Sequence, residues 1–178
     1  MDDKEERKER VKLLRRQQER KNQLPSLLQQ TSIIANKDLT ENNVLTLEEI
    51  DNHRISINST DFDFNYLNIS FPQQKADELF KILQVFAKDL EEENYLILSK
   101  WSDIAVLRVK TDFVLMNFQK LIDLDGDSIY LYLLDYSSGF YIDLYTEWWY
   151  LDGKAERRPI LVLRVFGKQW IKRIAEAL

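Results

Sequence analysis

The chain contains no cysteine, a single histidine, three prolines and four glycines among its 178 residues. Without cysteine there is no disulfide framework, thiolate metal site or cysteine nucleophile, and a reducing cytoplasm is the expected home. The lone His53 excludes a histidine-rich metal centre and leaves one imidazole for base chemistry. With no Gly-x-Ser-x-Gly elbow in the chain, it reads as a surface residue at the start of a strand. The glycines stand at 126, 139, 153 and 167, a spacing that excludes both the P-loop and the dinucleotide fingerprint. No segment approaches the roughly 20 apolar residues of a spanning helix. The N-terminus, MDDKEERKERVKLL, is charged from its second residue, unlike a signal peptide. No membrane partner and no cofactor are expected.

What the chain does have is charge, unevenly spread. Residues 1–22 carry nine basic and six acidic side chains, whereas residues 23–178 carry 16 basic and 24 acidic, a net charge of −8. An acidic body repels phosphate backbones and favours basic partners, so nucleic-acid binding is expected only through the N-terminal arm. With 44% hydrophobic residues overall, the chain can bury a core.

Residues 3–22, rich in Glu, Lys, Arg and Gln, predict a solvated helix whose large apolar residues are Val11, Leu13 and Leu14. Pro25 is expected to end or redirect it, with a second short helix over 26–35. The polar stretch 36–43 then separates an arm, 1–43, from one domain, 44–178.

Alternating apolar residues predict a hairpin from 53–58 and 61–71, then a helix with Leu79, Ile82, Leu83 and Phe86 on its buried side. Strands at 95–100 and 104–109, joined through Trp101-Ser102-Asp103, lead into a helix over 111–124, capped by Thr111 or Asp112. A hairpin of 129–135 and 140–146, a strand at 160–166 and a helix from Lys168 complete the order. Directly linked strand pairs predict an α+β architecture, a mostly antiparallel sheet with helices packed on it.

The segment Asp123-Leu124-Asp125-Gly126-Asp127 has the carboxylates of a calcium loop. In an EF-hand register its glycine falls at the fourth position and Leu134 at the twelfth, so it reads as a turn. Asp143, Asp152 and Lys154 loosely follow the acidic and lysine elements of magnesium-dependent nucleases. With Asp135 they define a metal-dependent hydrolase or nuclease alternative. Asp152-Gly153, however, is a hairpin-turn signal. No residue stands out as catalytic and none as a metal ligand.

The unusual stretch is 123–152, with seven acidic residues, nine aromatics and no lysine or arginine. A four-residue loop at 136–139 would set Asp135 opposite Phe140, Tyr132 opposite Asp143 and Tyr130 opposite Tyr145. One face is then aliphatic, with Ile129, Leu131, Leu133, Ile142 and Leu144. The other carries Tyr130, Tyr132, Tyr141, Asp143 and Tyr145, followed by Glu147 and Trp148. Tyrosines give large contact area at low entropic cost, and carboxylates among them attract lysine and arginine. These seven residues form the expected partner-binding surface. The alternatives are a small-ligand pocket, or coverage of that face by the N-terminal segment, by another strand or by a second copy, the last making the chain a homo-oligomeric assembly protein.

An acidic, cysteine-free α+β chain with direct strand pairs, the Trp101-Ser102-Asp103 turn and this Tyr/Trp/Asp-rich hairpin resembles the bacterial immunity proteins that neutralise contact-dependent or polymorphic toxins. The likeness is one of general design, covers 53–178 and leaves residues 1–50 outside. It implies a non-enzymatic inhibitor whose acidic face covers the active site or substrate groove of a basic toxin, often a nuclease.

Overall fold

Period-2 alternation of aliphatic residues gives the strands one face to bury, and the helices supply what they are buried against. A computed structural model of the protein describes residues 3–59, 66–89, 93–151 and 154–177. Among these are six strands: β1 (Tyr66–Pro72), β2 (Glu93–Leu98), β3 (Leu107–Lys110), β4 (Ser128–Leu133), β5 (Gly139–Leu151) and β6 (Lys154–Phe166). They form one sheet in the order β1-β6-β5-β4-β2-β3, with every neighbour antiparallel. The helices are α1 (Asp3–Ala35), α2 (Leu47–Ser59), α3 (Ala76–Leu83), α4 (Thr111–Asp125) and α5 (Lys168–Ala177). The α+β expectation is met.

On the inner face Leu96, Ile129, Leu131, Ile142, Leu163 and Val165 meet Leu79 and Leu83 of α3, Val114, Phe118 and Leu121 of α4, and Trp170 and Ile174 of α5. Trp170 lies 4.3 Å from Phe86 and 6.0 Å from Phe140, ring centre to ring centre. Each such aliphatic side chain contributes about 2 kcal/mol on burial.

Helix α1 runs unbroken through Pro25, where two helices were expected. The side chains around the proline explain this: Leu24 and Leu27 belong to the main core, and Leu28 packs against it. Their burial outweighs the one backbone hydrogen bond that proline removes. Lower down, Arg20 donates to the carbonyls of Leu45 (2.7 Å) and Ile104 (2.8 Å). Arg16 pairs with Asp51 at 2.7 Å and donates to the Asp103 carbonyl at 3.0 Å. Asn36, left-handed at φ 48°, closes the helix.

The segment 53–58 is helical, within α2, and not a strand. Thr46 and Glu49 form a reciprocal cap, the Glu49 amide donating to the Thr46 hydroxyl (3.2 Å) and the Thr46 amide to the Glu49 carboxylate (2.7 Å). From that start Ile50, His53 and Ile57 fall on one helical face, while Ile55, counted in the alternating pattern, is 65% exposed. The expected partner strand, 61–71, lies partly outside the described residues and appears as β1 from Tyr66.

Helix α3 begins at Ala76, after a 3-10 turn at Gln73–Lys75. The residue flanking α4 at its N-terminus is Lys110 with no side-chain cap, and Thr111 is buried, accepting from the Asn94 amide. Helix α4 ends on Gly126 at φ 83°, whose amide donates to the Ile122 carbonyl at 2.7 Å. Buried Asp125 accepts from the amides of Lys100 (2.8 Å) and Ser128 (3.0 Å). The acidic run 123–127 is therefore a helix cap and a brace between two loops.

Candidate partner-binding surface

The outer sheet face is divided by α2. Over β2 and β4, Leu45, Ile50, Ile97, Val106, Tyr132 and Phe166 make a second buried cluster, with Tyr95, Tyr130 and Tyr136 packed on it. His53 sits among these rings, 2% exposed, its Nδ1 2.8 Å from the Tyr136 hydroxyl. Its ring centre is 4.8 Å from Tyr95, 5.8 Å from Tyr132 and 5.1 Å from Tyr136. Burial, with the nearby Arg54 charge, lowers its pKa to about 4. The expectation of a surface histidine is thus corrected. Tyr132 is corrected too: at 8% exposure, with its phenol pushed up to about 12 chiefly by burial, it belongs to a core and not to a contact surface.

The hairpin register also differs from the expected one. Tyr132 pairs with Gly139, Tyr130 with Tyr141 and Ser128 with Asp143. Tyr136 turns the chain in a left-handed conformation at φ 59°, and the Leu133 amide donates to the Ser138 carbonyl at 3.0 Å. The displacement is four residues along β5. An even displacement preserves the faces, so the aliphatic and tyrosine sides are as expected. Gly139 is required where it stands, because a Cβ there would lie 2.2 Å from the Phe166 ring and 2.4 Å from the Leu131 carbonyl.

Over β5, β6 and β1 the outer face carries Tyr141 and Asp143, half-buried, and Tyr145, 52% exposed. Arg164 pairs across from Tyr141 and lies at its centre, 4.8 Å from the Tyr141 ring and 4.6 Å from that of Tyr66. Its Nε donates to Asn68 Oδ1 at 2.7 Å. Burial raises the Asp143 pKa, Asp127 adds to the rise, and Arg164 opposes it. A tract without basic residues in sequence therefore acquires one from a neighbouring strand.

Strand β4 last pairs at Ser128 with Asp143, and β1 at Pro72 with Ile160. Beyond them, residues 146–151 and 154–159 pair only with each other among the described residues, a ribbon projecting from the sheet. Strand β6 thus starts six residues before the expected 160. Cross-strand arginine–tryptophan pairs line the ribbon: Arg157 lies 5.1 Å from the Trp148 ring and Arg158 5.1 Å from that of Trp149. Trp148 is 58% and Trp149 45% exposed, and the Trp149 indole donates to Glu147 at 3.1 Å.

Alternation puts Glu147, Trp149 and Arg158 on the Tyr145 side and Trp148 with Arg157 on the other. Trp148 is therefore not on the tyrosine face, and Trp149 is the tryptophan that continues it. Period 2 alone could have shown this. Tyr66, Arg158 and Arg164 were not accessible that way, since they reach the surface through the neighbour order β1-β6-β5.

Asp135 accepts from the Ser137 amide in the turn, at the opposite end of the β4–β5 ladder from Asp143. The structure does not bring these two carboxylates together, and Asp152 lies outside the described residues. Among the described residues no three His, Cys, Asp or Glu side chains are grouped to hold a metal ion, and no helix is long and apolar enough to cross a membrane. No protein-family model, no curated protein and no solved structure matches this chain, so its function is read from this surface.

Proposed function

We propose that the protein is a binding module, most concretely an inhibitor of the immunity type, that holds a basic protein partner on its tyrosine-bearing outer face and ribbon. The observation that carries this reading is the exposure of Tyr145, Trp148 and Trp149 around a single projecting ribbon. Large aromatics left in water are costly, and proteins retain them together chiefly where another surface covers them. Asp143 and Glu147 lie on the tyrosine face beside Tyr145 and Trp149 and suit a lysine or arginine of the partner, while the net charge of −8 over residues 23–178 steers a basic protein toward the body. Tyr66, Tyr130 and Tyr141 extend the contact over the sheet.

The test is affinity capture from lysate of the source cells with wild type beside the Asp143→Lys, Glu147→Lys double variant. A basic protein retained by wild type and lost from the variant is expected. Equal capture by both contradicts the assignment of this face. A wild type that sediments as a dimer, and as a monomer after Trp148→Ala and Trp149→Ala, would instead turn the ribbon into a self-association surface.

A further inference from the structure

The N-terminal half of α1 sorts its charges. Lys4, Lys8 and Lys12 form one row at four-residue intervals and Arg7, Val11 and Arg15 a neighbouring one, so all fall along one side of the helix. These residues line an open groove that runs along the helix to Glu19 and Asp103. Glu6 and Glu9 border a second groove, with Arg10, toward Asp51 and Arg54 of α2, and Lys12 stands at the edge the two grooves share. The inward arginines are committed, Arg16 to Asp51 and Arg20 to two backbone carbonyls, and Asp103 is paired with Arg54. By contrast, none of the five stripe cations is in an ion pair among the described residues, and all five are exposed.

We infer that this stripe binds the phosphate backbone of a nucleic-acid duplex. From Lys4 to Arg15 the helix rises about 17 Å. Over that length a duplex presents about ten phosphates on its two strands, one per roughly 1.7 Å of axis, about twice the number of stripe cations. Val11, 43% exposed, lies within the stripe and Leu14, 56% exposed, at its edge beside Arg7, too little apolar surface to embed the helix in a lipid headgroup region. Contacts of this kind are with phosphate and carry no base preference. The acidic body keeps the rest of the chain off the polyanion, which confines binding to the arm. This surface is separate from the ribbon and stands or falls independently of it.

The experiment is fluorescence anisotropy of a labelled duplex of about 20 base pairs, titrated with the full chain between about 50 and 200 mM salt. Wild type is expected to bind with a log–log salt slope of about −4 to −5. The variant Lys8→Gln, Lys12→Gln, Arg15→Gln changes exposed side chains only, and circular dichroism will confirm that it is folded. It is expected to reduce the slope to about −2 and the affinity at least about tenfold. No binding at the lowest salt, or equal binding by the variant, overturns the inference. So does binding of phosphatidylserine vesicles, or of a second copy of the chain, in place of the duplex.

Discussion

Acidification should loosen α2 from the sheet through His53. The imidazole is 2% exposed, enclosed by Tyr95, Tyr132 and Tyr136, and its Nε2 has no hydrogen-bond partner among the described residues. Besides these three phenols, the charged group acting on it is the adjacent Arg54, which opposes a second positive charge. With its pKa lowered from 6.5 to about 4, the folded state holds a neutral ring at a pH where the unfolded chain already takes up the proton. The contribution is therefore complete above about pH 6.5 and is lost as pH falls toward 4. At about 1.4 kcal/mol per pKa unit the whole loss is about 3 kcal/mol. The assay is urea unfolding at pH 7 and at about pH 4.5, for wild type and His53→Phe. Carboxylates titrate alike in both proteins, so the difference isolates the imidazole. Wild type should lose about 2 to 3 kcal/mol more than the variant over this interval. Equal losses would refute the placement of a neutral, buried His53 beneath α2.

Other residues give equally direct tests. Asp125→Ala would leave the buried amide of Ser128 and that of Lys100 without their acceptor, and should cost about 2 to 4 kcal/mol in urea unfolding. Calcium should leave the wild-type melting temperature unchanged; a rise would restore the cation reading of residues 123–127. Pro25→Ala restores a hydrogen bond inside α1 and should stabilise the chain by about 1 to 3 kcal/mol. An unchanged midpoint would mean that the helix has already relieved the proline by bending.

The sequence pattern carries the inner face almost entirely. Leu79, Leu83, Phe86, Ile129, Leu131 and Ile142 were all legible as core from periodicity, and all are buried. Periodicity fails where two periods fit the same residues. His53, Ile55 and Ile57 alternate like a strand, yet Ile50, His53 and Ile57 also fit a helix, and the Thr46–Glu49 cap decides for the helix. It fails again where burial overrides a local breaker, as at Pro25 between Leu24 and Leu27. The tyrosine face was half legible. Alternation identified its side chains, but the partners that set its character come from elsewhere in the chain. Helix α2 covers Tyr132, and β6 lays Arg164 beside Tyr141 and Asp143. A count of charges along 123–152 could not anticipate an arginine delivered by strand order.

The central claim is that the face and ribbon around Tyr145, Trp148 and Trp149 bind a protein partner. The most direct measurement is calorimetric titration of the captured basic protein into wild type and into the Tyr145→Ala, Trp149→Ala variant, both shown to be folded. Two exposed aromatic anchors worth about 2 kcal/mol each at a protein interface predict an affinity loss of several hundredfold or more. A variant that binds within about threefold of wild type would contradict the account.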